Sequence, residues 1–65
     1  MLTPEQWRVL YRALLDAQAV EAVRLHQETI PGVAAFHRVA YERTTEALEI
    51  AYRLPVDWSR EAKAA

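Results

Sequence analysis

Glu21 and Arg43 are the residues whose placement first suggests chemistry, because each interrupts an otherwise apolar helical stripe. Brought together, with Gln18 and the Thr44 hydroxyl nearby, they would form a buried acid–base or anion-binding pair. The plainer alternative is a buried ion pair that fixes the register of two helices; removing one partner of such a pair costs about 3–5 kcal/mol. The structural role is the one expected, since an arginine cannot serve as a general base at ordinary pH.

His26 and His37, with Glu28, carry the only metal-binding pattern worth weighing. The Glu-x-x-His and His-x-x-x-His spacings that put ligands on one helical face are both absent, so no metal is expected. A single Gly rules out a Gly-rich phosphate loop. Ser59 is the only serine and there is no cysteine, which leaves covalent hydrolysis without a well-placed nucleophile. Two helices also offer no enclosure for paired carboxylates. No catalytic residue and no cofactor are expected. Trp7, Tyr11 and Trp58, with Arg8 or Arg60, would stack on a ligand; aromatics so placed more often plug the end of a helical bundle.

The elements that must position these residues are two helices about one punctuation point, Thr29-Ile30-Pro31-Gly32. It holds the only Gly and one of three prolines. Ile30-Pro31-Gly32-Val33 suits a type II turn, with Pro fixing φ at one central position and Gly accepting φ > 0 at the next. Proline also drives Ile30 out of the α region. The expected layout is helix one over about 4–28, a turn at 29–32, helix two over about 33–54 and a tail at 55–65, all in one domain spanning 1–65. Thr3-Pro4-Glu5-Gln6 reads as a capping box with Pro at the first helical position. Pro55 stops the second helix near Leu54. In the tail, Asp57 is placed to cap a short helix from Trp58, Trp58 to fold back toward Trp7, and the chain to fray beyond Lys63.

Each helix carries two apolar stripes. In helix one the main stripe runs Trp7, Leu10, Tyr11, Leu14 and Ala17, through Glu21 to Leu25; a weaker one runs Val9, Val20 and Val23. In helix two the main stripe runs Val33, Phe36, Val39, Arg43, Ala47, Ile50 and Leu54, and a second runs Ala34, His37, Tyr41, Leu48 and Tyr52. With the turn near residue 32, level residues have numbers summing to about 64, which pairs Leu14 with Ile50, Ala17 with Ala47 and Glu21 with Arg43. The main stripes are thus expected to form the hairpin's core.

The second stripes, Val20 and Val23 with Tyr41, Leu48 and Tyr52, are then left for another chain. A core of this size rarely supplies more than about 3–5 kcal/mol, and without cysteine no disulfide adds to it. A four-helix bundle made by self-association would. The fold expected is therefore all-α: an antiparallel helical hairpin assembling into a homo-oligomer, most simply a dimer.

Seven Arg and one Lys against nine acids leave a net charge of −1, which argues against a nucleic-acid-coating protein. No run is apolar enough to cross a bilayer, the N-terminus lacks a secretory layout, and a cytoplasmic location is expected. The function expected is a non-catalytic interaction module, an adaptor, regulator or inhibitor that docks on another protein. The alternative is sequestration of a nucleotide-like anion at subunit junctions by His37, Arg38, Tyr41 and Arg43. Nucleic-acid regulation by an Arg-bearing face ranks third.

Overall fold

The structure, a computed structural model, describes residues 1–59. It is two antiparallel helices, α1 (Pro4–Gln27) and α2 (Pro31–Tyr52), packed along their length. Between them lie only Glu28, Thr29 and Ile30.

The start of α1 follows its sequence signal. Thr3 is extended; its hydroxyl accepts from the Gln6 N–H at 3.1 Å, and the Gln6 side-chain oxygen accepts from the Thr3 N–H at 3.0 Å. Two of the helix's unpaired first-turn donors are thereby satisfied. The other end of the hairpin departs from expectation. No residue, Gly32 included, has positive φ, and the type II turn is not formed. Pro31 is instead the first residue of α2, where its missing N–H is no loss and its fixed φ already fits a helix. Ile30 is the extended cap, and its carbonyl accepts from the Ala34 N–H at 2.9 Å. No side chain caps α2, but the Glu28 carboxylate accepts from the N–H groups of Thr29 and Ile30, both at 3.0 Å. One acid thus satisfies the connecting segment.

Gly32 is therefore a helical residue in open space: a Cβ there would meet nothing within 4 Å. Gly32→Ala should stabilise the chain by about 0.4–1 kcal/mol, by removing unfolded-state entropy without strain. Urea denaturation followed by circular dichroism checks this; destabilisation of similar size would show that Gly32 needs a conformation closed to alanine.

Past α2 the chain turns back over the N-terminus. Leu2 donates to the Pro55 carbonyl at 3.1 Å, Asp57 donates to the Leu2 carbonyl at 2.9 Å, and Leu2 bridges Val56 in a single parallel β-type pairing. Trp58 arrives beside Trp7, with ring centroids 5.6 Å apart and edge to face. Asp57 accepts from the Ser59 N–H at 3.2 Å and makes a short bond with the Ser59 hydroxyl. The expected tail helix and its fraying beyond Lys63 lie outside the described residues.

The core reverses the expected roles of the α2 stripes. On α1 the covered positions include Trp7, Tyr11, Leu14, Gln18, Glu21 and Leu25; on α2 they include His37, Tyr41, Thr44, Leu48 and Ala51, with Ala34, Ala40, Thr45 and Ala47 half-buried beside them. Both sets advance in alternating steps of three and four, the spacing of a seam between supercoiled helices. Leu48 and Ala51 are the buried hydrophobic residues of the seam. Leu48 and Tyr41, assigned from sequence to an outer interface, thus face α1. Val33, Phe36, Val39 and Ile50, assigned to the core, are exposed.

The reason is polar matching. The α1 seam carries Gln18 and Glu21, whose hydrogen-bonding groups must find partners once covered. The α2 stripe that packs here supplies them: Gln18 donates to the Thr45 hydroxyl at 2.9 Å, and Glu21 meets His37 at 2.7 Å. Thr44 and Thr45 donate back to the carbonyls of Ala40 and Tyr41, at 2.7 and 2.9 Å. Among the described residues no buried side-chain nitrogen or oxygen lacks a partner.

Candidate functional site

Three places gather the residues with functional potential: a polar pair in the seam, an aromatic cluster at the open end, and an apolar face along one side of the hairpin.

In the seam, the Glu21 carboxylate sits 2.7 Å from His37 Nδ1 and 3.7 Å from an Arg24 guanidinium nitrogen. An ionised carboxylate can only accept, so in that form Glu21 requires His37 Nδ1 to carry the proton. Glu21 and His37 are both largely covered, while Arg24 is exposed. The expected Glu21–Arg43 pair is not formed. His37 precedes Arg43 by six positions, and Arg43 lies exposed on α2. Gln18 and Thr44, placed near that pair by sequence, bond instead to Thr45 and to the Ala40 carbonyl. The seam pair holds two helices together and opens onto no enclosed volume.

The residues suggested for anion capture do not converge. His37 and Tyr41 turn toward α1, while Arg38 and Arg43 are exposed. At 100° per residue, five positions put Arg38 and Arg43 about 140° apart around the helix. They therefore serve opposite sides of the hairpin. His26 is exposed, and among the described residues no group of three or more His, Cys, Asp or Glu side chains is placed to hold a metal ion.

At the open end Trp7 is the hub. Its indole N–H donates to the Ala51 carbonyl at 2.8 Å. That carbonyl, in the last turn of α2, also accepts from the Leu54 N–H at 3.2 Å. Tyr11 stacks on Trp7 with centroids 4.7 Å apart and 17° between planes, and the Arg8 guanidinium lies 5.9 Å from the Trp58 ring centre. The rings spend their faces on one another, which makes this cluster a plug.

The third place was not legible as a unit in the sequence. On α1, Leu10, Ala13, Ala17 and Val20 follow one line beside the seam, at steps of three, four and three. On α2, Val33, Phe36, Ala40, Ala47, Ile50 and Leu54 follow another. Both lines fall on the same side of the hairpin, because antiparallel helices rotate in opposite senses past one viewer. Leu10 and Leu54 accordingly line one surface depression, with Met1, Leu2 and Pro55. Tyr11, Leu15, Glu49, Tyr52 and Arg53 line a depression on the other side. On this side Phe36 and Ile50 are 69% and 57% exposed. Of the interface residues named from sequence, Val20 belongs to it, Val23 and Tyr52 are exposed at other angles, and Tyr41 and Leu48 are in the seam.

Among the described residues no helix is long and apolar enough to cross a membrane. No family model matches the chain, and no curated protein or solved structure matches it.

Proposed function

We propose that this chain is a small, non-catalytic, cytoplasmic interaction module, an adaptor, regulator or inhibitor, that works as a homo-oligomer and docks on another protein. The apolar side of the hairpin carries this reading. Contiguous exposed apolar surface of this kind marks an interaction site on a protein that stays in solution. The polar groups available for chemistry are consumed in structure: Glu21 by His37 and Arg24, Gln18 by Thr45, and the Trp7 indole by Ala51.

The test joins mass to capture. Light scattering over a range of concentrations should give a multiple of the 7.5 kDa chain, and the double variant Phe36→Glu/Ile50→Glu should give a single chain. A tagged wild-type chain should retain host proteins that the double variant loses. A single-chain mass for the wild type overturns homo-oligomeric action; identical capture by both overturns the apolar side as the working surface.

A further inference from the structure

We infer that the connecting half of the hairpin, residues 21–37, unfolds locally as one unit while the open-end half stays folded, and that the Glu21–His37 bond is its latch. The links between the two helices are unevenly shared between these halves. The connecting half, which carries Ile30, Val33 and Phe36, is thereby the part of the chain that changes shape without loss of the fold.

The open-end half holds the best covered residues. Pro4, Leu48 and Ala51, the buried positions among the described residues, all lie in it. Trp7 links α1 to α2 through its indole N–H on the Ala51 carbonyl, and to the segment past α2 through the Trp58 ring. The main-chain bonds of Leu2 with Pro55 and Asp57 tie the same end again. The capping box of Thr3 and Gln6 secures the first turn of α1 there.

Toward the connection the links thin out. Gln18 meets Thr45 near the middle of the hairpin, and Glu21 meets His37 next. Past that pair no hydrogen bond or ion pair joins the two helices among the described residues. Leu25 and Ala34 are the half-buried apolar residues there, while Val33 and Phe36 are exposed. The start of α2 also lacks a side-chain cap. Segments with few buried apolar contacts are those that open at less cost than global unfolding. Here one polar bond carries what packing carries at the other end.

Chain connectivity pulls the other way, but weakly. The Glu21–His37 bond spans 16 positions and the Trp7–Ala51 bond spans 44. Loop entropy grows only with the logarithm of length, so the shorter loop is favoured by about fivefold. Burying one leucine side chain is worth about tenfold or more, and Leu48 is buried in the open-end half. Packing therefore outweighs connectivity, and the open-end half is the firmer.

Amide hydrogen exchange, resolved residue by residue by NMR at one protein concentration, tests this. Corrected for intrinsic rates, amides of residues 22–27 and 35–37 should exchange at least about tenfold faster than those of residues 11–14 and 44–50. The two connecting segments should share one opening equilibrium, since they belong to one unit. Rates equal in the two halves, or graded smoothly from the connection as in fraying of separate helix ends, overturn the inference. Two variants then separate the halves. Trp7→Phe weakens the open-end half, which stays folded during the local opening. It should speed exchange there by about fivefold and leave the connecting half unchanged. Glu21→Ala weakens the folded state against both openings, and should speed both halves by one factor of about ten. Equal acceleration of both halves by Trp7→Phe would mean a single cooperative unit and overturn the inference. Unchanged exchange of the connecting half in Glu21→Ala would overturn the Glu21–His37 bond as its latch.

Discussion

Leu48→Ala should cost about 2–5 kcal/mol, the range for removing a buried leucine side chain. Leu48 is 7% exposed and, with Ala51, forms the buried apolar core of the hairpin. A single core of this size yields only about 3–5 kcal/mol, so the variant should be largely unfolded at body temperature. Tyr52, four positions on, is 73% exposed. Tyr52→Ala should change stability by no more than about 0.5 kcal/mol, as surface substitutions usually do. Urea denaturation of both variants at one fixed protein concentration, followed by circular dichroism, decides the matter. Equal and small effects would mean that Leu48 faces outward and that the two α2 stripes have been exchanged.

Trp7→Ala should cost about 3 kcal/mol, at the low end for tryptophan because the ring is half-buried. The loss has separable parts. Trp7→Phe keeps an aromatic ring against Tyr11 and Trp58 but cannot donate to the Ala51 carbonyl. That variant should lose about 1 kcal/mol, the usual net worth of one hydrogen bond. The two parts are best read from thermal unfolding together with the emission of Trp58, the remaining tryptophan. In Trp7→Ala the Trp58 emission should move toward that of a solvated indole before the helices melt, because Trp58 packs edge-on against Trp7. If the two transitions coincide and Trp7→Ala costs no more than Trp7→Phe, the cluster does not hold the open end.

The apolar face and the seam place different demands on the same helix, and this sets what each variant reports. Changes in the seam act on each hairpin and should be independent of protein concentration. Changes on the face, such as Phe36→Glu/Ile50→Glu, act on association and should matter only where copies meet.

Local chemistry decided the elements. Thr3, Pro4 and Gln6 specify where α1 begins within the first few residues, since a capping box depends on three side chains and the backbone between them. Pro31 ends one helix and opens the next, and the long uninterrupted runs of helix-forming residues on either side do the rest. The two-helix hairpin could thus be read before any contact was known. Pro31-Gly32 was misread as a turn because the same pair suits both a type II turn and the first positions of a helix. Three residues were enough to reverse the chain once the Glu28 carboxylate satisfied the N–H groups of Thr29 and Ile30.

Tertiary structure alone decided which side of α2 faces α1. Hydrophobic periodicity reports that a helix has an apolar stripe, and α2 has two; the stripe with Phe36 and Ile50 is the more hydrophobic. The other stripe packs, and it pairs the covered Gln18 and Glu21 with the Thr45 hydroxyl and the His37 ring. An unpaired polar group in the seam costs about 1–3 kcal/mol, so these pairs matter to the hairpin's stability. Single-helix patterns cannot contain that term, because it belongs to residues on both helices at once. The side chains thereby left in water, Val33, Phe36 and Ile50 beside Leu10 and Val20, are the surface on which the proposed function rests.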